Sequence, residues 1–190
     1  MKSFINAGIF ILLCLTSAIS AQNISKLHLT SLNGKRVLVS DLVKEKKNIA
    51  IVFFNDECPV CRFYASELNG LDSVCRSNNI YFVCVFSGIY TSKQIRKFIK
   101  MFKLNIPVFR DPDYSVAKAA GARVTPEIFL MNPENDKILY KGKIDDAFVS
   151  LGVRKSNVVS NYFFDAVRDY VSGSAISIPE TMAIGCMLNY

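Results

Sequence analysis

Cys58-Pro59-Val60-Cys61 sets two thiols on either side of a Pro-Val pair, directly after the apolar run Ile49 to Phe54. At the start of a helix this spacing puts the two sulfurs one turn apart, close enough to close into a disulfide and open again. The thiolate is the nucleophile in such chemistry. A helix N-terminus favours it, because unpaired backbone N–H groups and the helix dipole both attract negative charge. Pro59 fits the first helical position, where its missing N–H would have no helical partner. Asp56 and Glu57 stand just before Cys58; near the sulfur they would raise its pKa, and turned to solvent they would not. The expected cycle has Cys58 attack a substrate disulfide and Cys61 resolve the mixed disulfide, and an oxidised pair runs it backwards. Zinc is the usual competitor for a CxxC pair. It needs about four ligands, and no second CxxC or Cys/His pair is present. His28, the only histidine, alternates with apolar neighbours and reads as a surface residue.

The elements that must position this pair follow from periodicity. Leu27 and Leu29 alternate with His28 and Thr30, and Asn33-Gly34 is a turn signal before Val37 to Val39, which predicts a hairpin. Ile49 to Phe54 and Ile80 to Phe86 are continuous apolar runs, expected of strands buried on both faces. Val60, Tyr64, Leu68, Leu71 and Cys75 fall on one helical stripe between them. Ser92 to Phe102 is an amphipathic helix, and Asp113 to Ala120 a short one closed by Gly121. Glu127 to Met131 and Ile138 to Ile144 flank a turn-rich segment and predict an antiparallel pair. Val158 to Val171 reads as a final helix with Gly173 just past its end. The predicted class is α/β, a central mixed sheet flanked by helices with an N-terminal β-hairpin extension; its parallel strands need crossovers, which are nearly always right-handed.

The order CxxC, long α/β segment, then Val124-Thr125-Pro126 resembles thioredoxin-like proteins. The resemblance implies that Pro126 is cis and lies against the active-site pair. It also implies that Thr125 bonds the main chain of an extended substrate and that Pro126 shapes the groove. Leu32-Asn33-Gly34-Lys35 with Val39-Ser40-Asp41-Leu42, and Phe109-Arg110-Asp111-Pro112-Asp113, are similar to the redoxin (AhpC/TSA-like) branch. Thr125-Pro126-Glu127-Ile128-Phe129, Tyr140 to Asp146 and Thr181-Met182-Ala183-Ile184-Gly185-Cys186 resemble one exported bacterial redoxin group. That group often keeps the Cys-Pro and the terminal Gly-Cys without the second cysteine of the CxxC; this chain has all three. Cys186 is therefore either a third redox thiol that folds back toward Cys58 or Cys61, or a packed or free terminal cysteine. Two departures separate the chain from thioredoxin itself: Glu57 replaces the Trp before the first cysteine, and Val52 replaces the buried Asp of the preceding strand.

Residues 1–21 read as a signal peptide: Lys2 is the only charge, Ile9 to Leu15 is apolar, and Ser17, Ala18, Ser20 and Ala21 are small. The alternative is an uncleaved anchor, for which the run is short. Residues 22–173 then form the redoxin domain and 174–190 a tail carrying the Gly-Cys motif. Export predicts a periplasmic or extracellular location, where disulfides persist. The mature chain holds Cys58, Cys61, Cys75, Cys84 and Cys186, and an odd number argues against a fully paired framework. Cys75 and Cys84 read as small core residues, with a bridge between them as the alternative.

The formal charge is +7, but the basic residues are dispersed apart from Lys44, Lys46 and Lys47, and Lys93 to Lys103. The latter alternate with Ile95, Phe98, Ile99 and Phe102, as on the solvated face of an amphipathic helix. No aromatic–basic interleaving accompanies them, so nucleic acid is not an expected partner. The expected function is exported thiol-disulfide exchange with protein thiols or disulfides, coupled to an upstream electron donor or acceptor, with no cofactor and no metal. A peroxiredoxin-like thiol peroxidase is the alternative, weakened because Asn55 holds the usual Thr position and Arg123 matches the peroxide-polarising Arg only loosely. A Cu(I)-binding module built from the thiolates ranks last, since the CxxxC and distal His of copper-delivery relatives are missing.

Overall fold

The computed structural model describes residues 23–43 and 48–190. The expected leader at 1–21 and Lys44, Lys46 and Lys47 lie outside the described residues. Asn33-Gly34 turns the chain between β1 (His28–Ser31) and β2 (Arg36–Leu38), which pair antiparallel. Gly34 takes φ +85° and donates its N–H to Ser31 O at 2.9 Å, a conformation a side chain would resist.

The run before the CxxC pair is β3 (Asn48–Phe54), buried at every residue. Its side chains alternate between two cores, as period 2 requires. Ala50, Val52 and Phe54 enter one cluster; Ile49, Ile51 and Phe53 enter the other. The CxxC motif opens α1 (Pro59–Tyr64), which is followed by α2 (Leu68–Ser77) and β4 (Ile80–Ser87), parallel to β3. The single helix expected over Val60 to Cys75 is thus two helices. The break falls at residues 65–67, where Ser66 Oγ donates to Phe63 O at 3.2 Å, a side-chain bond that competes with helical continuation. The stripe itself holds: Val60, Tyr64, Leu68, Leu71 and Cys75 are all buried.

The next helix, α3 (Ser92–Phe102), begins with a capping box in which Thr91 and Gln94 satisfy each other's backbone N–H groups. Phe98 on its apolar face meets Phe54 at 5.9 Å and Phe86 at 5.6 Å between ring centroids, edge pairs worth about 0.5–1.5 kcal/mol each beyond their buried area. This trio fixes the end of β3, from which the motif departs. Then follow β5 (Val108–Asp111), a strand that periodicity did not single out, α4 (Ser115–Ala120), β6 (Val124–Thr125), β7 (Glu127–Asn132) and β8 (Lys137–Gly142). A small hairpin of β9 (Phe148–Ser150) and β10 (Val153–Arg154) was not expected either.

The last helix, α5 (Tyr162–Val171), begins later than the sequence pattern suggested. Asp146 Oδ1 accepts the N–H groups of Val159 and Ser160 at 2.9 and 3.1 Å, and this carboxylate holds the segment out of the helix. A two-residue strand, β11 (Cys186–Met187), lies in the tail.

The seven-stranded sheet runs β2-β1-β5-β4-β3-β7-β8. Pairs β3–β4 and β4–β5 are parallel and the rest antiparallel, so the expected mixed sheet with an added N-terminal hairpin is present. Helices α2, α3 and α5 cover the first cluster, and α4 with the N-terminal segment covers the second. Among the described residues no helix is long and apolar enough to cross a membrane.

Candidate functional site

Asn55 follows β3, and its side-chain oxygen accepts the Glu57 N–H at 2.7 Å, an Asx-type turn that carries the chain into α1. Cys58 caps α1 in an extended conformation and Pro59 takes the first turn. Both Cys58 and Cys61 are at most 1% exposed. The peptide between Thr125 and Pro126 is cis, and the Cys58 sulfur lies 3.1 Å from Thr125 O. The motif and the Val-Thr-Pro segment, far apart in sequence, therefore meet.

Cys186 joins them. β11 pairs antiparallel with β6 in the register Cys186↔Thr125 and Met187↔Val124. Leu188 N–H donates to Arg123 O at 2.9 Å and Thr125 Oγ1 donates to Cys186 O at 3.3 Å. All five residues singled out in the sequence, Cys58, Cys61, Thr125, Pro126 and Cys186, share one site.

The three thiols differ sharply in acidity. Hydrogen bonding from the Cys61 side chain first, then from the Cys186 side chain and the backbone of both residues, lowers the Cys58 thiol. These donors outweigh burial and hold the Cys58 thiol at about 5, against an ordinary 9.0. Hydrogen bonds to the charged form of a group favour that form. Burial pushes Cys61 well up, and the neighbouring Cys58 adds to the effect. Cys186 is pushed up to about 12, again by burial first and then by Cys58. The arrangement is one ready thiolate held by two protonated thiols. Asp56 is half-buried and Glu57 exposed, and neither is among the groups that shift Cys58.

Three supporting features escaped the sequence reading. Glu127 is buried, and its Oε2 accepts the Arg123 N–H at 2.8 Å, which holds the entry to β6. An acidic residue inside an apolar strand was the available signal. Tyr64, one turn beyond Cys61, donates to Asp145 Oδ1, which also accepts the Ala147 N–H at 2.8 Å. Tyr64, Pro126, Asp145, Phe148 and Ile184 line a narrow cleft beside the site. Gly185 lies against the Thr125–Pro126 peptide: a Cβ there would stand 2.1 Å from Thr125 O. Arg123, the residue loosely matched to a peroxide-binding Arg, turns its guanidinium outward toward Glu180 at 4.0 Å. Cys75 and Cys84 are buried free thiols, not a bridge.

Comparison with known proteins gives the family and the fold. Residues 21–141 match the AhpC/TSA family. The chain is 29% identical over 102 residues to the thiol-disulfide oxidoreductase ResA of Bacillus subtilis, a match covering 54% of this chain and 55% of that protein. The chain thus spans about half the length of this curated relative. A hypothetical protein of Sinorhizobium meliloti 1021 superposes with a TM-score of 0.76 at 22% identity, over 88% of this chain and 92% of that one. A thioredoxin-like protein of Aeropyrum pernix gives a TM-score of 0.52 at 19% identity, over 63% of this chain and 81% of that one. These two structures speak to the fold, which is thioredoxin-like.

Proposed function

The chain belongs to the AhpC/TSA family, and from that premise we propose that it is an exported thiol-disulfide oxidoreductase acting on protein thiols and disulfides. The observation that carries this is the Cys58–Cys61 pair at the start of α1, set against the cis Thr125–Pro126 peptide with Cys186 in register opposite Thr125. The Cys58 sulfur attacks one sulfur of a substrate disulfide; that S–S bond breaks as the Cys58–substrate bond forms, and the other substrate sulfur leaves as a thiolate that takes up a proton. Cys61 then loses its proton and attacks Cys58, forming Cys58–Cys61 and releasing the second substrate thiol. The substrate gains two electrons and the pair loses two, to be restored by an upstream dithiol donor. Driven by an upstream oxidant, the cycle runs in reverse and oxidises substrate thiols. Thr125 holds the substrate main chain and Pro126 shapes the groove. Cys186 is a third redox thiol, close enough to Cys58 to exchange with it. Export rests on the leader-like residues 1–21 and would place the site in the periplasm or outside the cell.

Reduction of a model protein disulfide, followed by acid quenching and mass spectrometry, tests this. Turnover with a Cys58–Cys61 or Cys58–Cys186 bond in the oxidised product is expected. No turnover by the reduced chain and no oxidation of substrate thiols by the disulfide form would overturn it.

A second reading, thiol peroxidase, rests on the same low-pKa Cys58 and on the family. There the thiolate would attack a peroxide oxygen, releasing an alcohol or water and leaving a sulfenic acid that Cys61 or Cys186 condenses with, releasing water. Turnover of hydrogen peroxide separates the two.

A further inference from the structure

With the tail in place, Cys58 is 1% exposed, so a disulfide on another protein has no route to its sulfur. What covers the site is this chain's own strand. β11 makes the main-chain contacts with β6 that an incoming extended segment would make, and it sets Cys186 opposite Thr125, whose carbonyl oxygen lies 3.1 Å from the Cys58 sulfur. We propose that the tail is a tethered occupant of a peptide-binding groove along β6, and that the groove takes extended protein segments bearing apolar-Gly-Cys. This rests on the exchange chemistry proposed above and adds to it the class of segment recognised.

Each position of the tail reports one requirement of the groove. Cys186 stands opposite Thr125, where the exchanging sulfur must be. Gly185 allows the strand to approach, since any Cβ would meet Thr125 O at 2.1 Å and Thr125 C at 2.6 Å. Backbone atoms cannot give way as a flexible side chain can. Ile184 packs against the first core cluster and lines, with Tyr64, Pro126, Asp145 and Phe148, the narrow cleft beside the site, so an apolar side chain stands two residues before the cysteine. Met187, by contrast, is 71% exposed, so the position after the cysteine is not read. Strand addition of this kind draws affinity from the main chain and specificity from alternate side chains.

The tail is held on both sides of the groove by a short span between two anchors. It is fastened upstream of the groove: Thr181 N–H donates to Lys141 O at 3.0 Å, and Thr181 Oγ1 accepts the Lys143 N–H at 2.8 Å. Downstream, the Tyr190 hydroxyl donates to Ala122 O at 2.7 Å and its ring meets Tyr114, while between the two anchors Met182 and Met187 are largely exposed and the strand is two residues long, so its opening is a local event. Tethering gives β11 an effective concentration in the millimolar range, so a free peptide competes poorly until the strand is disengaged.

The test uses the mature chain carrying Gly185→Val, whose tail can no longer approach Thr125. The probe is a fluorescent peptide copying residues 182–190 with Cys186→Ser, read by anisotropy. The variant is expected to bind it at least about tenfold more tightly than the unsubstituted chain. A peptide that also carries Gly185→Val is expected to lose that binding. Equal binding by the variant and the unsubstituted chain, or equal binding of the two peptides, overturns the proposal. Should Gly185→Val disturb folding, Leu188→Pro removes the bond to Arg123 O without touching the site. In the unsubstituted chain, millimolar peptide should speed hydrogen exchange at the Leu188 amide, and no change there also counts against the proposal. Because the serine peptide cannot exchange, binding without disulfide reduction would remove the enzymatic reading and leave the groove. Reduction without discrimination at the glycine would do the opposite.

Discussion

Cys58 and Cys61 are no more exposed than Cys75 and Cys84: all four are at most 1% accessible. The acidity of Cys58 nevertheless points the opposite way from that of the other three. Cys75 on α2 and Cys84 in β4 sit in the first core cluster, and burial pushes both thiols well up, helped at Cys75 by the charge of Asp72. Cys58 is as little exposed, but hydrogen bonding, first from the Cys61 side chain and then from Cys186, brings its thiol down to about 5. Burial alone makes a thiol inert; burial with converging donors makes a thiolate. The difference lies in what the elements around each sulfur can donate, since the residue type and the near-zero exposure are shared.

The comparison breaks most completely at Cys58. Cys58→Ser is expected to abolish disulfide exchange, while Cys84→Ala leaves the rate of exchange per folded molecule unchanged; a protein-disulfide reduction assay checks both. Next comes Cys61→Ala, which deletes the first of the donors to Cys58. A hydrogen bond to a charged group is worth about 1.5–3 kcal/mol, so the Cys58 pKa should rise by on the order of one to two pH units. The mixed disulfide with substrate should also accumulate if Cys61 is the main resolving thiol. Thiolate absorbance against pH and mass spectrometry of the trapped complex measure these.

A smaller effect is expected from pH itself. Cys58 loses its proton near pH 5, so its alkylation rate should fall as pH drops through about 5 and stay level from about pH 6.5 to 8. A rate that keeps climbing toward pH 9 would mean that the donors do not hold the thiolate. Smallest for activity is the control pair. Cys84→Ser buries a hydroxyl where no partner stands, with an expected cost of about 1–3 kcal/mol. Denaturant unfolding should show that loss with exchange intact. The same substitution at Cys186 is expected to raise the Cys58 pKa by less than Cys61→Ala does, because its thiol ranks below that of Cys61 among the donors.

Much of the frame was legible from local pattern. The continuous apolar runs became β3 and β4, the alternating Lys and Ile/Phe stretch became α3, and Gly121 and Gly173 closed their helices with positive φ. Pattern failed where a single side-chain hydrogen bond decided the outcome. Asp146 drew Val159 and Ser160 out of α5, and the Ser66 hydroxyl broke the helix after the CxxC motif. β5 was passed over because its four residues include Arg110 and Asp111, which disguise a strand held between β4 and β1.

The sequence by itself determined the nucleophile pair, its place at a helix start, and the strand that carries it there, because these depend on neighbours within a few turns of chain. It also offered Cys186 as either a redox thiol or a bystander and could not choose. Only the tertiary structure set that cysteine against Thr125, 61 residues away, and only there does Gly185 acquire its reason. A two-residue strand has no periodicity to read, and which edge it meets is settled by packing between distant segments. The acidity of Cys58 belongs to the same level, since its donors come together on the sulfur only when α1 and the tail are both in place.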